Sequence, residues 1–273
     1  MAAKTSLLNP VQTRLAGLND QLCYFLFATE EIDHRLSDFS SALNDCYTSD
    51  LFAKNSNAKR INVTLQKLPD FKNNNEKLTF GSYFSTSYEV VVGYIFNLLD
   101  LLSDISPNTF VKSISTRNSP EQNLVNSLFS SQFQPIPNEL IDTLTYMRLR
   151  RNHLTHLNTD IRPNFVNLIQ QQGATLNTYW GTSIQELDFS SRDIYNFTVN
   201  ETIELLKVLR LTLEKIDTCV AASINTNDII KFILKNFFPN NPNNKQVRAR
   251  KVRQFAEINF GLQEQISAIV SII

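Results

Sequence analysis

Six glycines are spread over 273 residues. Reversing a strand in two or three residues usually requires positive φ, and hairpins draw on glycine for it. So sparse a supply points away from a multistranded sheet and towards helices joined by polar loops. The apolar spacing agrees. Leu18, Leu22, Phe25, Thr29, Ile32, Leu36, Phe39 and Leu43 follow one another in threes and fours, the seam of an amphipathic helix. Phe84, Tyr88, Val91, Ile95, Leu98 and Leu102 repeat the pattern over about 82–102. Leu205, Leu209, Leu213, Ile216 and Val220 repeat it within about 191–224. The expected fold class is all-α.

Punctuation divides the chain further. Residues 48–78 lose the helical period and are rich in Asn and Lys, as in AKNSNAKR and FKNNNEK. They read as a polar surface insertion, in which INVTL (61–65) alternates like a short strand. Ser119-Pro120-Glu121-Gln122 is a helix start, with serine as cap and proline at the first helical position. Pro137-Asn138 opens another helix, and Arg162-Pro163 marks its latest end. Residues 163–190 read as irregular and hold the only tryptophan, Trp180, expected to be a packing anchor. NFFPNNPNNK (236–245) is a breaker between two further helices, near 227–237 and 245–271. The expected organisation is a helical domain over 1–225 and a basic helical extension over 226–273.

Bulk charge excludes little. There are 26 basic and 26 acidic residues, so affinity for a polyanion must come from local patches. The most apolar run, YEVVVGYIFNLLDLLSDI (88–105), is interrupted by Glu89, Asp100 and Asp104 and reads as a buried helix, not a membrane span. Cys23, Cys46 and Cys219 are odd in number and widely spaced, which suits reduced thiols in a cytoplasmic protein. MAAKTSLLNP lacks the apolar core of a signal peptide.

One short stretch concentrates chemistry: YMRLRRNHLTHLN, residues 146–158, with two of the three histidines and three arginines in four positions. Leu140, Leu144, Met147, Arg151 and Leu154 are spaced 4, 3, 4, 3 and share one stripe. Arg151 therefore takes a seam position where Leu or Met is expected. A buried unpaired guanidinium is strongly unfavourable, so Arg151 must meet an anion, a groove or an interface. Asn152 and His156 are four apart, so the amide can fix the imidazole tautomer. Arg151 and His156 lie about 140° apart on an ideal helix. Arg148, Arg150 and His153 fit the plainer role of cations near a helix C-terminus. His153-x-x-His156 supplies two metal ligands without a third, and no metal is expected. His34, in IDHRL, reads as an exposed helix histidine.

Arg151-Asn152-His153-Leu154-Thr155-His156 resembles the signature of the HEPN superfamily: an Arg, four to six residues, then a His, with a polar residue after the Arg. The resemblance implies an antiparallel helical bundle and a metal-independent endoribonuclease of the toxin or phage-defence kind. It also implies a homodimer whose two motifs form one cleft, with an antitoxin or sensor protein as a further partner. In that mechanism the 2′-hydroxyl of RNA attacks the adjacent phosphate, so no cofactor is needed. His156 would be general acid or base, Arg151 would hold the phosphate, and Asn152 would orient His156 or contact the phosphate. Arg148, Arg150 and His153 would steer RNA. So would Lys245, Arg248, Arg250, Lys251 and Arg253 of KQVRARKVR, whose other reading is a solvated helix face. Two other readings stand beside this one: a non-catalytic HEPN-like module that binds RNA, nucleotide or protein, and an unrelated helical scaffold.

Overall fold

The computed structural model describes residues 1–39, 41–155, 160–194, 198–239 and 245–273. Among them the chain is all-α. The helices are α1 (Leu8–Ser37), α2 (Thr48–Leu51), α3 (Ser56–Ile61), α4 (Leu68–Ile105), α5 (Pro120–Ser130) and α6 (Asn138–Thr155). They continue as α7 (Pro163–Trp180), α8 (Val199–Ser223), α9 (Thr226–Phe237), α10 (Lys245–Phe260) and α11 (Ile266–Ile272). The expected strand at 61–65 is absent; the only strand-like pairing among the described residues is an isolated bridge between Tyr47 and Thr64. No helix of the described residues is long and apolar enough to cross a membrane.

The spine is α4. Its buried side chains, from Phe80 and Phe84 to Leu102 and Ile105, recur every three or four residues. They pack against α1, α5, α6, α8 and α9. Helix α1 runs antiparallel to α4: Asp33 pairs with Lys72, and the Phe25 and Phe80 rings meet edge-on with centroids 6.1 Å apart. Past Leu22, α1 has no fully buried residue, with Phe25 and Leu26 half-buried at the edge of the core, and α4 has none before Phe80. Residues 27–37 and 68–79 therefore form a two-helix arm beyond the packed bundle, with α2 and α3 at its tip. The stretch expected to be a loose insertion is thus partly a solvated helix, since α4 starts at Leu68 and not near 82.

A second difference concerns 163–190. Pro163 stops one helix but also opens α7 at its first turn. The seam of α7 is Phe165, Ile169, Gly173, Leu176 and Trp180. Its outer face is Asn and Gln, residues more typical of loops, and Gly173 hides a seam position. That glycine is required by packing: a Cβ there would lie 2.7 Å from the Phe189 carbonyl oxygen. Trp180 is the anchor expected, 3% exposed, donating from Nε1 to Thr143 Oγ1 at 2.9 Å. Ser119 caps α5 as read from sequence, accepting from the Gln122 amide. Helix α8 starts at Val199 behind a Thr198 cap, later than the expected 191.

The C-terminal helices share the main core. Ile229, Ile233, Val252 and Phe260 belong to the same apolar cluster as Leu22 and Leu98. The expected single helix over 245–271 is two, broken after Phe260 by Gly261 with φ +60°. Here the first residues of the chain cross over. The Ala3 and Lys4 amides donate to the Phe260 carbonyl at 3.1 and 3.3 Å. A side chain at 261 would meet the Ala3 methyl at 2.9 Å. Next to this contact, Asp217 of α8 is fully buried. Its carboxylate accepts from the Thr5 amide (2.7 Å), the Thr5 hydroxyl (2.5 Å) and the Tyr94 hydroxyl (2.6 Å). Burial pushes the Asp217 carboxyl up, and the three donors pull it back. Asp217→Ala leaves three buried donors without an acceptor and is expected to cost about 3 kcal/mol. Urea denaturation would measure it, and hydrogen exchange should show the Thr5 amide losing protection; an unchanged midpoint would refute the clamp.

Candidate functional site

Helix α6 packs against α4, α5, α7 and α8. From Glu139 through Leu154 none of its residues is exposed. The apolar seam read from sequence is real: Leu140, Leu144 and Met147 are each at most 1% exposed. It is not, however, the only inward face. Tyr146 is fully buried, with its ring edge-on to Phe165 and Phe189 at 5.2 and 4.7 Å between centroids.

This changes the assignment of the three arginines. Arg150, read as a basic helix end, is the one in the core, 1% exposed. Its Nη2 donates to Glu201 Oε1 at 2.8 Å and to the Ile194 carbonyl at 3.5 Å, and its Nη1 donates to the Tyr146 hydroxyl at 3.3 Å. Burial pushes the Glu201 carboxyl up while Arg150 draws it down. Arg148 donates from Nε to Glu121 Oε1 at 2.7 Å, and Glu121 is itself 2% exposed. Thr145 adds a hydroxyl to the same oxygen at 3.3 Å. Tyr88 lies beside this pair, and burial, then the Glu121 charge, pushes its hydroxyl well above the ordinary tyrosine range.

Arg151 is half-buried instead. Its Nη2 meets Glu89 Oε1 of α4 at 2.5 Å, with the two side chains 30% and 52% exposed. Its Nη1 donates to Asn152 Oδ1 at 3.0 Å. The structure thus joins Arg151 to Asn152 directly, where the sequence paired Asn152 with His156. His156 lies outside the described residues. His153, read as a cation near the helix end, is 2% exposed; burial and then the nearby Arg162 charge lower its pKa.

The basic residues of α10 belong to another neighbourhood, since α10 packs on α9 and α11. Lys245, Arg250, Lys251 and Arg253 are exposed. Arg248 is turned inward and donates from Nη2 to the Phe238 carbonyl at 2.6 Å. Among the described residues no group of three or more His, Cys, Asp or Glu is placed to hold a metal ion. His34 is exposed on the arm, as read.

Sequence reasoning missed the carboxylates Glu89, Glu121 and Glu201. One signal was available for Glu201: Thr198-x-x-Glu201 has the spacing of a capping box, and Thr198 accepts from the Glu201 amide at 3.0 Å. No family model, curated protein or solved structure matches the chain.

Two outcomes are expected. Arg150→Met alone leaves Glu201 buried without its cation and should cost about 3–5 kcal/mol, most of it recovered in Arg150→Met/Glu201→Gln. Equilibrium unfolding of the single and double variants reads this, and additive losses would exclude the pairing. His153 has a lowered folded-state pKa. Its contribution to stability is therefore complete above the ordinary histidine pKa of about 6.5 and is lost as pH falls through the folded value. His153→Gln should flatten the acid side of a midpoint-versus-pH curve; an unaltered slope would contradict the assignment.

Proposed function

We propose that the chain is a metal-independent endoribonuclease of the toxin or phage-defence kind. Its site is the C-terminal end of α6, where Arg151, Asn152 and His156 act together. The observation that carries this reading is the division of labour among the arginines. Arg148 and Arg150 are held by carboxylates that are 3% and 12% exposed, whereas Arg151 pairs with the half-exposed Glu89. Exposed ion pairs are worth at most about 1 kcal/mol, so an RNA phosphate can take Glu89's place. A planar guanidinium then offers two parallel donors to the phosphate oxygens. The bond from Arg151 to the Asn152 side chain fixes the plane of that fork.

His156 supplies the proton transfer. As base it takes the proton of the 2′-hydroxyl, which attacks the adjacent phosphorus. Arg151 balances the growing charge on the phosphorane, the 5′-oxygen leaves as a hydroxyl with the proton returned by the imidazolium, and a 2′,3′-cyclic phosphate results. A second copy of the chain brings its own α6 end to the same cleft, and an antitoxin or sensor protein would regulate it. The exposed cations of α10, Lys245, Arg250, Lys251 and Arg253, are free to contact RNA backbone.

Purified chain should cut RNA in EDTA, leave the matching DNA intact, and lose about a hundredfold or more in rate on Arg151→Ala or His156→Ala. Gel analysis of end-labelled RNA would measure this, with sedimentation for the dimer. Cleavage that persists in both variants would refute the site. Binding without cleavage would favour the non-catalytic module.

A further inference from the structure

Helices α5 and α6 enclose a cavity of about 360 Å³ between them. Val125 and Ile141 give it apolar walls, Gln122 and Asn126 add amides, and Glu121 and Arg148 line it as well. Apolar walls with a few converging polar groups are the usual make-up of a small-ligand pocket. The lining carries one anion and one cation. It therefore suits a neutral ligand that both donates and accepts, in preference to a phosphate.

Glu121 gives the cavity its chemistry. The residue is 2% exposed, and its Oε1 accepts from Arg148 Nε at 2.7 Å and from Thr145 Oγ1 at 3.3 Å. Its Oε2 is buried and accepts from nothing among the described residues. A buried acceptor without a donor is unfavourable, and an N–H of a ligand answers it. Arg148 is the complement. Only its Nε is engaged among the described residues, so both Nη groups remain to donate. The pair thus presents one acceptor beside a fork of two donors.

The cavity is in line with the end of α6. At 100° per residue, Ile141, Thr145, Arg148 and Asn152 lie within about 30° of one line along the helix. The first three line the cavity. Asn152 follows Arg148 by about one turn, ~6 Å, and accepts from Arg151 Nη1 at 3.0 Å.

We infer that this cavity is a nucleobase pocket that reads guanine or cytosine in the RNA strand whose phosphate Arg151 holds. This rests on the ribonuclease reading of α6 and adds a base preference to it. The Glu121–Arg148 pair needs a base with a donor next to two neighbouring acceptors. Cytosine offers its N4 amino group beside N3 and O2, and guanine its N1–H beside O6 and N7. In adenine and uracil a donor separates the two acceptors, so one fork does not grip both. Bases of single-stranded RNA splay out and are read on these edges. The favoured substrate is single-stranded RNA with G or C beside the cleaved phosphate.

The test reads binding, in a His156→Ala chain. An oligouridylate of about nine residues with one central G or C should bind about tenfold tighter than the all-U strand or one with a central A. Methylating N1 of that guanine, or N4 of that cytosine twice, removes the donor and should return affinity to the all-U level. Glu121→Gln must keep its carbonyl on Arg148 and Thr145, turns a donor towards the base, and should abolish the preference. Arg148→Lys keeps the charge without the fork and should do the same. Both changes touch a buried pair, so a third variant, Val125→Phe, fills the cavity from a wall residue that is 38% exposed. It should lose the preference with an unchanged melting curve. A preference for G alone or C alone supports the pocket and identifies the base. No preference, a preference for A or U, or a G/C preference that survives all three variants overturns it. Wild-type chain that cuts RNA without a base preference keeps the reading of α6 and removes the pocket. Preference in binding without wild-type cleavage removes the ribonuclease and leaves the pocket standing.

Discussion

The burial of a guanidinium governs the centre of this fold. Arg150 sits where a core residue belongs, and a lone charge there is far too costly to hold. The surrounding elements are arranged to answer it. The first turn of α8 brings Glu201, α6 itself brings the Tyr146 hydroxyl, and the segment before α8 turns the Ile194 carbonyl towards it. That segment is fixed in turn. Glu204 accepts from the Gln185, Glu186 and Leu187 amides, and Asn177 of α7 holds Asp188 and Phe189. Gly173 lets the segment lie against α7. Four parts of the chain thus meet around one cation.

The same condition explains which parts of the molecule could be read from sequence. Seams are legible where a helix has one wet face and one dry face, which is why α8 and the second half of α4 stand out. Helix α6 has no exposed residue between Glu139 and Leu154, so its apolar stripe marks only one of several inward directions. The stripe Leu140–Leu154 therefore singles out Arg151 and leaves Arg150, the buried arginine, outside. Partner carboxylates on α4, α5 and α8 lie 62, 27 and 51 residues away from the arginines they hold. No local pattern reports them. Helix α7 was hidden for a different reason, because its solvated face is amide-rich and its seam contains a glycine.

Helix α4 shows how one continuous helix can live in two settings. Its 38 residues extend ~57 Å, longer than the packed bundle needs. The C-terminal half is dry and carries the core. The N-terminal half is held by the Asp33–Lys72 pair and by Phe25 against Phe80, and is otherwise wet. Composition changes along it while backbone geometry does not, so the polar half reads as a loop. The rigidity of the helix fixes the separation between the arm tip and Glu89, and hence between the tip and Arg151.

The clamp at the chain start has a consequence for how the molecule is made. Thr5 reaches its acceptor Asp217 across 212 residues, and Ala3 reaches Phe260 across more. On the ribosome, Ala3 and Thr5 emerge more than 200 residues before the groups they dock on and must wait for them. During that interval Thr5 and Tyr94 lack the Asp217 carboxylate that joins them. Residues 3–5 are synthesised before their partners and docked only once these exist, so they act as a closing stitch of the fold.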